Sequence, residues 1–103
     1  MIRKANLNDA PSGFNVLQTT ERTQTAIMTL DSGESSSKRP NTHKSSDQVL
    51  LVMEGELHAE VGADEMTLRR GDVVIVPAGT PHTFTNSGKT KAVTFNTYSP
   101  PEY

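Results

Sequence analysis

Residues 71–86 constrain the fold of this chain most, because a strand, a tight turn and a second strand follow one another there without spare residues. Val73–Val76 is a β-branched run, too short for a helix and bounded by a glycine and a proline, which predicts a strand covered on both faces. Pro77 presets a turn and Gly79 is free to take a positive φ, so the turn delivers His82 at a fixed point of the returning strand. A rigidly placed histidine suits a metal or a substrate.

Short apolar runs between turn residues recur along the whole chain and predict the remaining strands. With 73–76 they cover 14–21, 23–30, 47–53, 56–61, 65–68, a strand that begins at residue 82, and 91–97. No stretch has a helical period. Eight or nine short strands at intervals of about ten residues indicate an all-β sandwich or barrel.

The strand at 47–53 is apolar on both faces. One face carries Gln48, Leu50 and Val52 and the other Val49, Leu51 and Met53. Such a strand is covered twice, by the barrel interior and by another strand or a second subunit. Only 33% of the 103 residues are hydrophobic, which suggests that apolar surface is also buried between subunits. We therefore expect a homodimer.

Charge and cysteine content exclude several classes of protein. The net charge is -2, with 10 Lys and Arg against 12 Asp and Glu, so no basic face for nucleic acid or an anionic membrane is expected. Without cysteine there is no disulfide, thiolate nucleophile or zinc-thiolate site, in agreement with a reducing cytoplasm. The first ten residues lack a long apolar run, so we expect neither a signal peptide nor a membrane span, and a cytoplasmic location.

Two motifs resemble those of the cupin superfamily. The spacing Gly71-x5-Pro77-x-Gly79-x2-His82-x3-Asn86 matches the second cupin motif at every fixed position. The first motif, which reads glycine, His-x-His, glutamate and glycine, is met in part by Gly33, Asn41-Thr42-His43, Gln48 and Gly55. Asn41 stands in place of the first histidine and Gln48 in place of the glutamate. Further details look like a group of small bacterial cupins often labelled mannose-6-phosphate isomerase-like.

The resemblance implies a single-domain jelly-roll barrel that holds one divalent metal. It divides the chain into an N-terminal arm and edge strand at 1–22, a cupin barrel at 23–98 and a C-terminal tail at 99–103. The implied ligands are His43, Gln48 and His82, with Asn41 as a candidate fourth, for iron, nickel, zinc or manganese. Because Gln48 is neutral, a bound ion keeps its full charge, which lowers metal affinity and strengthens attraction for an anionic ligand. If they line the mouth, Lys38, Arg39 and Lys44 would add to this field.

Each candidate also has a purely structural interpretation. For His82 it is a buried histidine satisfied by its neighbours, and for His43 a solvated loop residue. Gln48 would bond across the barrel, and Asn41 would begin a turn. His58 is expected to be surface, and Phe84 either core or pocket wall.

Three functions remain open. The first is a metal-dependent enzyme of oxygenase, isomerase or lyase type, acting on a small polar or anionic molecule. No general base is evident among the inward positions. The second is a non-catalytic binding or sensor module that uses the same pocket with weak or absent metal. The third is a structural or partner-binding domain for which metal and pocket are dispensable.

Overall fold

Eight antiparallel strands in two sheets form the computed structural model, which describes residues 2–103. They are β1 (Gly13–Thr19), β2 (Gln24–Leu30), β3 (Asp47–Glu54), β4 (Glu56–Val61), β5 (Asp64–Arg69), β6 (Val73–Val76), β7 (His82–Thr85) and β8 (Ala92–Ser99). The five-stranded sheet has the order β1-β2-β8-β3-β6, and the three-stranded sheet has the order β5-β4-β7. The prediction of an all-β jelly roll is confirmed.

The N-terminal segment contains a short 3-10 helix, Leu7–Asp9, that periodicity does not predict. The Asn6 side chain caps it by accepting a hydrogen bond of 2.9 Å from the Asn8 N–H. A helix of one turn is too short to produce a repeat of apolar residues. In the sequence, only the capping residue indicates that this helix is present. No helix in the described part of the chain is long and apolar enough to cross a membrane.

Strand β8 lies at the centre of the larger sheet and aligns residues that are distant in the sequence. Tyr98 is opposite Gln24 of β2 on one side and Gln48 of β3 on the other. Two residues along, Asn96 is opposite Ala26 and Leu50 in the same way. Because strand side chains alternate, these rows share the face that points toward the smaller sheet.

The interior changes from apolar to polar along the strands. The apolar core includes Leu30, Leu50, Val52, Leu57 and Phe84, which pack between the two sheets. Toward the other end, the buried inward side chains are polar: Gln24, Gln48, Asn96, His43 and His82 are all less than 5% exposed. Buried polar groups need partners, so this end is where a site is expected.

The prediction that β6 is covered on both faces is wrong for the single chain. Val76 is buried, but Val73 and Ile75 are 58% and 60% exposed. The reason is topological: β6 is an edge strand that pairs only with β3, and these two side chains lie on the outer face of the sheet. On the same face of β3, Met53 is 37% exposed. The homodimer stays a prediction, with this face as the surface concerned.

Candidate metal centre

A cavity of about 90 Å³ lies at the polar end of the interior, and all four predicted ligands line it. These are Asn41, His43, Gln48 and His82, which come from the β2–β3 loop, β3 and β7. Aromatic rings of Phe14, Phe84, Tyr98 and Tyr103 form much of the remaining wall. Phe84 is thus both core and pocket wall. The fold brings together the whole set that the motifs suggested, although ligation itself stays a prediction.

His82 is held by the turn that precedes it. Gly79 has a φ of 81°, and its N–H donates to the His43 carbonyl at 2.7 Å, which ties the turn to the β2–β3 loop. The His82 Nδ1 lies 2.9 Å from the Thr80 carbonyl oxygen. That bond requires a proton on Nδ1 and leaves Nε2 with a free lone pair. Burial lowers the pKa of His82, the Thr80 bond opposes this, and His43 lowers it further, so the neutral ring is favoured.

His43 is buried, at 4% exposure, although it lies on a polar loop. The solvated-loop interpretation is therefore wrong. Its ring centroid is 4.7 Å from that of His82. Two backbone hydrogen bonds between Asn41 and His82, of 2.8 and 2.9 Å, hold the loop against β7 and keep the two histidines adjacent.

Asn41 occupies the mouth of the cavity and is exposed. Its Oδ1 accepts a hydrogen bond of 3.0 Å from the Thr42 N–H, which fits a turn residue. Lys38, Arg39 and Lys44 are exposed, and none of them lines the cavity. The sequence suggested that these three positive charges would add to the electrostatic field of the metal site if they lined its mouth. They do not line it, because the loop turns their side chains toward solvent.

Gln48 makes the hydrogen bond across the barrel that its structural interpretation predicts, but its side-chain oxygen is left without a partner. Its Nε2 donates to Asn96 Oδ1 at 2.9 Å, and Asn96 Nδ2 donates to Thr94 Oγ1 at 3.0 Å. Its Oε1 is buried without a hydrogen-bond partner. Leaving a buried acceptor unpaired costs about 1–3 kcal/mol, so native proteins rarely do so without a reason. A cation in the cavity would satisfy this oxygen, and the residues present therefore fit a metal.

Two residues near the site escaped sequence reasoning, Glu102 and Tyr103. The Glu102 Oε1 lies 3.5 Å from the His43 Nδ1, and the Tyr103 ring packs against those of His43 and Tyr98. Both residues follow the last strand, where no periodicity signals which way a side chain points. Burial raises the pKa values of Tyr98 and Tyr103, so both phenols stay protonated at neutral pH.

A second cluster of ligand-type side chains lies on the outer face of the smaller sheet. His58 Nε2 is 3.7 Å from Glu60 Oε1 and 3.6 Å from Glu65 Oε1. These side chains are 38%, 54% and 70% exposed. The prediction that His58 is a surface residue agrees with this position, and solvated ion pairs of this kind need no further ligand.

Residues 26–98 match the family model of the cupin domain. The chain belongs to the cupin family. Auxin-binding protein ABP19b of Prunus persica is 32% identical over 81 residues, which are 74% of this chain and 39% of that protein. The chain thus spans well under half the length of this relative.

Solved cupin structures are similar in fold. KdgF from Halomonas sp. superposes with a TM-score of 0.86 at 17% identity, covering 98% of this chain and 96% of that one. A predicted oxalate decarboxylase from Thermotoga maritima has a TM-score of 0.76 at 19% identity, covering 84% and 77%. At identities this low, the similarity shows only that the fold is shared.

Proposed function

We propose that this cupin holds one divalent metal ion through His43, Gln48 and His82, with Asn41 at the mouth, and uses it to act on a small polar or anionic molecule. The observation that carries the proposal is the unpaired Gln48 Oε1, which is buried in the cavity that both imidazoles line. The His82 Nε2 has a free lone pair because Nδ1 is engaged by Thr80. Imidazole and amide ligands suit iron, nickel, zinc or manganese.

The chain's own residues restrict what shares the cavity with the ion. When bound, the metal supplies Lewis-acid or oxygen chemistry. The two imidazoles and two amides add no negative charge, so an anionic ligand is favoured over a neutral one. The cavity of about 90 Å³ has room for a very small molecule, and aromatic rings form much of its wall. The fold is shared with a predicted oxalate decarboxylase, whose named substrate is a small anion.

A non-catalytic binding or sensor module is the second candidate, and one observation favours it. No carboxylate lines the cavity within residues 2–103, and the two tyrosines on its wall, Tyr98 and Tyr103, keep their protons because burial raises their pKa values. If both histidines are engaged as metal ligands, a general base is therefore lacking unless the metal itself activates water. The resemblance to the group labelled mannose-6-phosphate isomerase-like stays a prediction, as does a cytoplasmic location.

The two candidates separate in a direct assay. The chain is purified without chelator, loaded in turn with Fe²⁺, Mn²⁺, Ni²⁺ or Zn²⁺, and offered small carboxylates, including oxalate, and sugar phosphates. An enzyme turns over at least one substrate, with oxygen uptake or product formation that is lost in His43→Ala. A binding module takes up metal and a small anion, measured by calorimetry, without turnover. A chain that binds none of these metals would contradict both metal-based versions.

We also propose that a second copy covers the outer face of the larger sheet. The apolar side chains of β3, β8 and β6 continue one another there, with Leu51 opposite Phe95 on one side and Val73 on the other. Strand β6 contains no charged residue to prevent edge pairing. On this face Ile27 and Val93 are already buried within the chain, so the surface for a second copy centres on Met53, Val73 and Ile75 of β3 and β6.

A further inference from the structure

The segment after β8 is fastened over the site by one buried glutamine. Gln24 of β2 is 1% exposed, and its Oε1 accepts from the N–H groups of Glu102 and Tyr103 at 3.2 and 2.9 Å. Its Nε2 donates to the Tyr103 main-chain oxygen at 2.7 Å. Ser46 adds a hydrogen bond to the Pro100 carbonyl. The backbone around Glu102 is therefore fixed independently of the Glu102 side chain.

This fastening places the Glu102 carboxylate behind His43. The Oε1 lies 3.5 Å from Nδ1, the ring nitrogen that would remain if His43 used Nε2 toward a metal. The Glu102 side chain is 28% exposed and does not line the cavity. Its contact with the site runs through the imidazole. His82 has the equivalent arrangement, with the Thr80 carbonyl behind its Nδ1.

The position of Glu102 matters because none of the candidate ligands carries a negative charge. The four candidate ligands on the lining are two imidazoles and two amides, because Gln48 stands where the cupin pattern has a glutamate. Among residues 2–103, Glu102 is the one carboxylate within ion-pair distance of either of these histidines. A carboxylate behind a ligating imidazole fixes the ring, raises its basicity and offsets part of the ion's charge.

We propose that Glu102 is the positioning residue of the metal site, and that it supplies from behind His43 the negative charge that Gln48 does not. The inference rests on the proposed metal site. Its expected signature is a loss of metal affinity of about 10- to 100-fold when the carboxylate is removed, the range typical of outer partners of ligating histidines.

The test compares Glu102→Ala and Glu102→Gln with Glu21→Gln, a matched substitution at an exposed glutamate between β1 and β2. Calorimetric titration with Zn²⁺ and Mn²⁺ is expected to give the largest loss of affinity for Glu102→Ala, an intermediate loss for Glu102→Gln, which keeps an acceptor, and no change for Glu21→Gln. Nitrogen NMR of the Zn²⁺-loaded chain adds a readout that a merely structural role would not move. The His43 Nδ1 proton is expected to be protected from exchange in the native chain and exposed in Glu102→Ala.

The outcomes separate the two proposals. Native affinity and an unchanged Nδ1 proton in Glu102→Ala would overturn the role of Glu102 and leave the metal site in place. A native chain that takes up neither metal would overturn both. Loss in Glu102→Ala together with an equal loss in Glu21→Gln would also count against Glu102, since a carboxylate outside the site would then have the same effect.

Discussion

The two faces of the five-stranded sheet carry opposite residue types at the site end, and neither follows the usual rule of apolar inside and polar outside. On the inner face, Gln24, Gln48 and Asn96 are at most 3% exposed. On the outer face, Val73 and Ile75 are more than half exposed. Buried polar groups and exposed apolar groups both mark places where a partner is expected. Inside, we expect an ion with its ligand, and outside, a second copy.

The inner face is tested most severely by His82→Ala. Removing this imidazole should lower the affinity for Mn²⁺ or Ni²⁺ by about 100-fold or more, because even outer partners of a ligand contribute about 10- to 100-fold. The fold should survive, since the bonds between His82 and Asn41 are main-chain bonds. Calorimetry checks the affinity, and circular dichroism checks the fold.

His58→Ala is the matched control, because His58 also lies beside two glutamates that are within reach of a metal. We expect its affinity to differ from native by about twofold or less, as is usual for solvated surface groups. An equal loss in both variants would mean that the exposed cluster, and not the inner face of the larger sheet, holds the ion.

The outer face is tested by Ile75→Glu. In a dimer formed through this face, the substitution brings like charges close together and desolvates them. We therefore expect the dissociation constant of the dimer to rise by about 30-fold. Sedimentation measures it, with Thr67→Glu on exposed β5 as the control that should leave association unchanged. A native chain that sediments as a monomer at micromolar concentration would show that the outer face has no second copy on it.

Gln48→Glu restores the carboxylate that the cupin pattern contains. Metal affinity should rise by about tenfold, because a charged ligand replaces a neutral one. The metal-free variant should lose about 1–3 kcal/mol of stability, because Asn96 now accepts nothing from residue 48 and must turn its amide. Gln48→Leu, which lacks the oxygen, should bind metal more weakly than native. Calorimetry and thermal melts record both effects, and weaker binding by Gln48→Glu would argue against ligation at this position.

The smallest effect is the pH dependence of the metal-free chain. Burial lowers the pKa of His82 below its ordinary 6.5, so the unfolded chain takes up a proton at higher pH than the folded one. Stability should therefore be constant above about pH 6.5 and fall as the pH drops from there toward the folded-state pKa. Melting temperatures of native and His82→Gln chains test this, and an equally steep fall in both would assign the effect to another group.

Sequence reasoning captured the fold because turn chemistry and strand alternation are local. The strands at 56–61 and 73–76 have the predicted bounds, and the others differ by one or two residues at their ends. The candidate ligands come together for a related reason: spacing on β3 and β7 sets the direction of Gln48 and His82, and main-chain bonds to His82 hold the loop that carries Asn41 and His43.

The remaining site residues could not be predicted by spacing. Gln24 fastens Glu102 only because the sheet puts them side by side, and their separation in the chain contains no hint of this. Asn96 is an intermediate case: alternation with Thr94 and Tyr98 marks it as inward, and its polarity among buried residues was a usable signal. The exposure of one face of β6 was not predicted, because a β-branched run does not distinguish a central strand from an edge strand.

The two main-chain bonds between Asn41 and His82 have a consequence for how the protein acquires its site. The residues they join are far apart in the chain, so the two imidazoles meet only when the sheets close around the core. Contacts of such high sequence separation form slowly and have no local precursor in the unfolded ensemble. A metal that needs both rings therefore meets a binding site only in the native state, so it should raise the free energy of unfolding by an amount that grows with the ratio of free metal concentration to Kd.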